Sequence, residues 1–168
     1  MKKFLVNVVL FALVGAMIVV LLLALGSEEG TKYVYKGNSS HKPLKIKPKE
    51  YQCSECDMNI DQLNYLVELI TTDGETFFFD DIGCLVLWLE NHHPDIDRIF
   101  TKTIDTHQWI EVEKVWYTRK AASPMGYGFA AVEKRGEDAI SYAKMRELML
   151  QGQTLHDPFV KKQLLLQK

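Results

Sequence analysis

The chain has 168 residues, 47% of them hydrophobic, and a net charge of −2 with no concentrated basic stripe, which excludes a nucleic-acid binder working through phosphate neutralisation. Its three cysteines are an odd number, so at least one stays unpaired in an oxidising compartment, where such a thiol is more often reactive or metal-bound than structural.

Met1-Lys2-Lys3 opens the chain and 22 uncharged residues follow, Phe4 to Leu25, with Asn7 the single strongly polar side chain among them. As a helix rising about 1.5 Å per residue this stretch would be roughly 33 Å long, enough to cross a hydrocarbon core of about 30 Å. Residues 1–26 are therefore expected to form a membrane anchor. A cleaved signal peptide is the rival, since Ala24-Leu25-Gly26 offers small residues, but the run exceeds the usual apolar region of about 7–15 residues. Lys2 and Lys3 precede the run and Glu28 and Glu29 follow it, so the charge bias predicts a single-pass protein of the bacterial inner membrane, with the rest facing the periplasm. No cysteine follows the run where a lipoprotein would carry its lipid, so the peptide itself is expected to anchor.

Residues 27–50 are rich in Gly, Ser, Lys and Pro, without sustained periodicity, and read as a flexible linker. Residues 51–168 remain for one domain, large enough to bury a core without disulfides.

Leu63 to Thr71 has the branched and aromatic content of a strand, Asp73-Gly74 marks a tight turn, and Thr76 to Phe79 begins the return strand. Asp80 or Asp81 then supplies an N-cap, Ile82 to Asn91 carries apolar residues at helical spacing, and Pro94 stops the helix. Arg98 to Ile104 reads as a short strand, and Trp109 to Arg119 as more extended chain. The pattern then repeats, with strands at Val115 to Arg119 and Phe129 to Glu133 and a helix at Asp138 to Gln151. Two strand-strand-helix halves predict an α+β fold in which small sheets are backed by helices. Thr154 to Lys168 adds an amphipathic end.

The chemistry concentrates in Tyr51-Gln-Cys53-Ser-Glu-Cys56-Asp-Met58. Thiolate and thioether together select soft ions, Cu(I) above all, and in an extended or loosely turned segment Cys56 and Met58 would project to one side. Cys53 adds a further thiol, which leaves open a redox pair with Cys56, a disulfide or a zinc half-site, although a four-sulfur zinc site needs a second C-x-x-C that is not present. Cys84 falls in the first turn of the expected helix, as a third soft ligand or a buried thiol. Met125 sits on the Gly-rich loop Ser123 to Gly128, stiffened by Pro124, where it is either a ligand or a gap filler. His107 is a further candidate ligand, and His92-His93 reads as helix capping.

Cys56-x-Met58, Phe79-Asp80-Asp81-Ile82-Gly83-Cys84, Trp109-Ile110-Glu111, Trp116-Tyr117 and Ser123-Pro124-Met125-Gly126-Tyr127-Gly128-Phe129-Ala130-Ala131 resemble, in that order, the NosL accessory proteins of nitrous-oxide reductase. The likeness spans about Tyr51 to Ala143. It implies a membrane-attached, extracytoplasmic Cu(I) chaperone without enzymatic activity, built from paired ββα halves in a fold shared with the organomercurial lyases. Its partners would be the copper-receiving apo-enzyme and the membrane assembly and transport machinery around it. The family's copper motif falls on Cys56 and Met58, with Met125 or His107 as an entering or third ligand. The rivals are a thiol–disulfide oxidoreductase using Cys53 and Cys56, and an organomercurial-lyase-like enzyme.

Overall fold

The computed structural model describes Phe4, residues 11–20 and residues 32–166. The chain divides into two units, Met1–Gly30 and Thr31–Lys168. In the first, residues 11–20 are helical. The expected span, Phe4 to Leu25, lies largely outside the described residues, and among those described no helix is long and apolar enough to cross a membrane.

The second unit is α+β. Its strands are β1 (Val34–Tyr35), β2 (Val67–Thr71), β3 (Thr76–Phe79), β4 (Ile96–Lys102), β5 (Trp109–Glu111), β6 (Trp116–Thr118) and β7 (Ala130–Val132), and its helices are α1 (Ile82–Asn91), α2 (Tyr142–Leu150) and α3 (Pro158–Leu166). One sheet runs β1-β3-β2-β4-β5 and a second contains β6-β7, with every described pairing antiparallel. The order strand, strand, helix thus occurs twice, as β2-β3-α1 and β6-β7-α2.

The β2-β3 hairpin closes through Gly74, whose φ of +81° suits a residue without a Cβ. Leu63–Tyr65 forms one 3-10 turn, so the strand starts later than its β-rich composition suggests. Side chains alternate across the sheet as the pleat requires. Phe77 and Phe79 turn to the Trp88 ring of α1, at centroid distances of 4.9 and 5.5 Å. Phe78 takes the other face and stacks on Tyr51 at 4.1 Å. The hairpin therefore positions α1 against one face and the Tyr51 segment against the other.

The stretch read as a linker is, over residues 32–50, part of the compact second unit. Asn38 is buried and donates to the Lys42 carbonyl at 2.9 Å and to Thr76 Oγ1 at 3.0 Å, while Leu44 and Ile46 pack on the core. Composition misses this because single apolar residues between prolines have no period, yet Leu44 and Ile46 each pack against the core. The second long helix also starts later than expected, at Tyr142, because Ile140 pairs with Tyr117 through bonds of 2.9 and 3.0 Å and Ser141 Oγ caps the Lys144 amide. In the C-terminal stretch α3 buries Val160 and Leu164.

Glu68, in the middle of β2, is fully buried beside Phe78. Its Oε2 accepts from the Leu44 amide at 2.9 Å, and its Oε1 has no partner among the described residues. Burial pushes this carboxyl up to about 8 against the pull of the Leu44 amide. As pH rises from the unfolded value near 4.5 towards 8, the unfolded chain loses this proton while the folded chain keeps it, so stability falls across that window and levels off above it. At about 1.4 kcal/mol per unit the loss amounts to a few kcal/mol at most. Glu68→Gln should flatten this slope and make the domain more stable than wild type at pH 8, as read from denaturant midpoints at pH 5 and pH 8.

Candidate metal centre

Tyr51 to Ile60 folds back on itself. Gln52 and Asn59 form an antiparallel bridge, the Cys53 amide donates to the Met58 carbonyl at 2.8 Å, and the Ile60 amide donates to the Tyr51 carbonyl at 3.1 Å. The Asp57 amide closes the turn on the Cys53 carbonyl at 3.1 Å, and Asp57 takes a φ of +61°. Asp tolerates this left-handed conformation better than most residues. The chain at Cys56-Asp57-Met58 is thus a reversing turn, the second of the two forms, extended or loosely turned, that the sequence allows. The Ser54 amide donates to the Phe78 carbonyl at 2.8 Å, which docks the turn on β3 just before Asp80.

At the end of β3 two adjacent acids divide the work. Asp81 is the N-cap of α1, its Oδ1 accepting from the Gly83 amide at 2.8 Å. That leaves Asp80 to face the turn, where its carboxylate oxygens lie 3.8 and 3.9 Å from Cys56 Sγ. Cys84, in the first turn of α1, points to the same place. One ligand atom from each of Cys53, Cys56, Asp80 and Cys84 lies within 4.8 Å of every other, and all three cysteines are free thiols. These four residues lie close enough to hold a metal ion.

The electrostatics suit a cation. The Cys84 thiol donates to Cys53 and pulls the Cys53 thiol below its ordinary value, helped by the Asp80 and Cys56 amides. The same bond raises Cys84, and burial then raises it further. Burial pushes Cys56 up to about 12, although the Met58 amide donates to its sulfur. No cation is among the groups that shift these thiols. Cys56 and Cys84, gathered without a counter-charge, hold on to their protons, and an arriving ion would displace those protons and supply the missing charge.

Of the residues singled out from sequence, Cys53, Cys56 and Cys84 come together. Cys53 and Cys84 are fully buried, and Cys56 is half-buried. Met58 adjoins the cluster through its backbone and is 48% exposed. Met125 approaches from the Ser123 to Gly128 loop, where its amide donates to Asp81 Oδ2 at 3.3 Å and its carbonyl accepts from His156 Nε2 at 2.6 Å. His107 is not among the four grouped residues. It is exposed on the turn between β4 and β5, with a φ of +56° and its amide bonded to the Thr103 carbonyl at 3.0 Å. Asp80 is the member of this group that sequence reasoning missed. The available signal was the doubled acid itself, because one carboxylate is enough to cap a helix and the spare one precedes Cys84 by four residues.

With Cd(II) as a spectroscopic probe of thiolate ligation, Cys84→Ser should lower affinity at least about tenfold, a difference of about 1.4 kcal/mol. His107→Ala should leave it unchanged. The reverse pattern would place the ion away from the cluster.

No protein-family model matches this chain, and no curated protein or solved structure matches it either.

Proposed function

We propose that the chain is an extracytoplasmic Cu(I) carrier of NosL type, a non-enzymatic protein that supplies copper to an apo-enzyme of the nitrous-oxide-reductase kind and works with its membrane assembly machinery. The observation that carries this reading is the cluster of three thiols and a carboxylate within 4.8 Å, of which one sulfur, Cys56, is partly open to solvent. Sulfur-rich donors favour a soft ion, and a carrier must leave one ligand within reach of a partner's sulfur. Met58, half exposed and joined to Cys56 through its backbone amide, fits that need. The twofold occurrence of strand, strand, helix supports the NosL and organomercurial-lyase type of fold. The uncharged run from Phe4 to Leu25, following Lys2 and Lys3, supports a single inner-membrane span with the domain in the periplasm.

Anaerobic titration with Cu(I) and with Zn(II), against competing chelators, tests the reading. One Cu(I) per chain that excess Zn(II) does not displace is the expected result, and a preference for Zn(II) would sink the copper carrier. Met58→Leu preserves size and apolarity and should fold normally. It should weaken Cu(I) at least about tenfold, because what it loses is a sulfur. An unchanged affinity would leave Met58 as surface.

A second reading is favoured by one contact, Asp80 against Cys56 Sγ. A cysteine pair with an adjacent acid is what cleavage of a carbon–mercury bond requires. One thiol bonds to mercury, displacing its counter-ion and releasing its proton to solvent; as a second sulfur bonds, the carbon–mercury bond breaks and the proton held between Cys56 and Asp80 passes to carbon, releasing the hydrocarbon and leaving mercury on two thiolates. Phenylmercury tests it directly. Benzene release that Asp80→Asn abolishes and Met58→Leu spares would establish the lyase, and no benzene from the wild type would eliminate it.

A further inference from the structure

The helix α3 has two apolar sides, and the fold uses one of them. Val160 and Leu164, four residues apart, are buried against the domain. Phe159 and Leu166 lie seven residues apart, and so within about 20° of one another around the axis, on a different side. There they are 84% and 71% exposed, and Leu165, 56% exposed, extends the surface. Lys161 and Lys162 stand exposed beside these residues, and among the described residues neither forms an ion pair. Between Pro158 and Lys168 the chain has three lysines and no acidic residue.

This helix is tied to the body of the domain. Asp157 caps it, its Oδ1 accepting from the Phe159 amide at 2.7 Å and from the Val160 amide at 3.1 Å. Just before the cap, the Leu155 amide donates to the Tyr127 carbonyl at 3.0 Å, and His156 Nε2 meets the Met125 carbonyl at 2.6 Å. The exposed face is therefore presented in a fixed direction. Displaying a phenylalanine and two leucines together there adds nothing to stability, since transfer out of water favours their burial, and a contiguous apolar patch of this kind marks a contact surface.

Area and charge decide what covers the face. The three apolar side chains expose on the order of 400 Å², about half of the roughly 800 Å² per partner that a stable protein interface buries. A symmetric pairing of two copies would also set the two lysines of each against those of the other. An anionic phospholipid surface meets neither objection. A few apolar side chains enter the boundary of headgroups and acyl chains, while the lysine stems run alongside and place their ammonium groups among the phosphates. We propose that the exposed face of α3 is a membrane-contact surface that lays the domain on a bilayer containing anionic phospholipid. The proposal goes beyond the carrier reading: it needs no metal, and the span expected from Phe4 to Leu25 would keep a bilayer within reach.

Photo-crosslinking of the full chain, reconstituted in vesicles of phosphatidylcholine and phosphatidylglycerol in about equal amounts, tests the surface. With p-benzoylphenylalanine in place of Phe159, irradiation should attach lipid at residue 159, read by mass spectrometry of the peptide. Leu166→Glu, and Lys161→Glu together with Lys162→Glu, should each lower that yield at least about fivefold, and so should vesicles of phosphatidylcholine alone. All these positions are exposed, so the denaturant midpoint should stay that of wild type. The same photoreactive residue in place of Val14, in a separate chain, reports the expected span. Absence of lipid at residue 159 would overturn the α3 surface whatever residue 14 shows, whereas lipid at 159 without lipid at 14 would support the surface and count against the span. A cross-link from residue 159 to a second copy in place of lipid, or a lipid yield that the variants leave unchanged, would overturn the proposal as well.

Discussion

The carboxylate of Asp81 accepts from the Gly83 amide, the Met125 amide and the Ser123 hydroxyl, and the arrangement of the candidate centre depends on that convergence. Capping α1 at this residue sets the helical phase that turns Cys84 inward and leaves Asp80, one residue earlier, to face the cysteine turn. The same carboxylate anchors the loop that carries Met125 and Tyr127. Burial raises the Asp81 carboxyl, and the three donors work against that rise, so the cap is at once a structural bond and part of the site's electrostatics. Removing it would release a helix start and a loop together, and would leave backbone donors buried without partners.

The phenylalanines of β3 explain how such a cap is held in place. Phe77 and Phe79 fix α1 through Trp88, and Phe78 fixes Tyr51 and with it the start of the cysteine turn. One four-residue strand thus aligns both halves of the ligand set by the alternation of its side chains. The cross-strand neighbour of Phe78 is the buried Glu68, which joins the sheet to Leu44. Burying a carboxyl with one donor costs stability that an apolar residue at that position would not.

The four grouped residues lie close enough to hold an ion. Two sulfurs are buried and the third is half-buried, and no cation is among the groups that shift the thiols, so an ion held there would supply the missing positive charge. A closed four-ligand structural site would oppose exchange.

The sequence by itself determined the α+β class, the Asp73-Gly74 hairpin, the helix from Ile82 to Asn91 and the concentration of sulfur at Cys53 to Met58. These features follow from local rules such as turn chemistry, apolar period and the N-cap, which act within a few residues along the chain. Tertiary structure alone decided that residues 32–50 lie along the sheet, that Asp80 and Cys84 join Cys53 and Cys56, and that His107 stays outside that group. Cys56 and Asp80 are separated by 24 residues, and the hairpin between them brings their side chains to within 3.8 Å. No periodicity encodes such a distance. It is set by the register of β2 on β3 and by the packing of Phe78 on Tyr51, because only when those contacts form together do the turn and the helix start face one another.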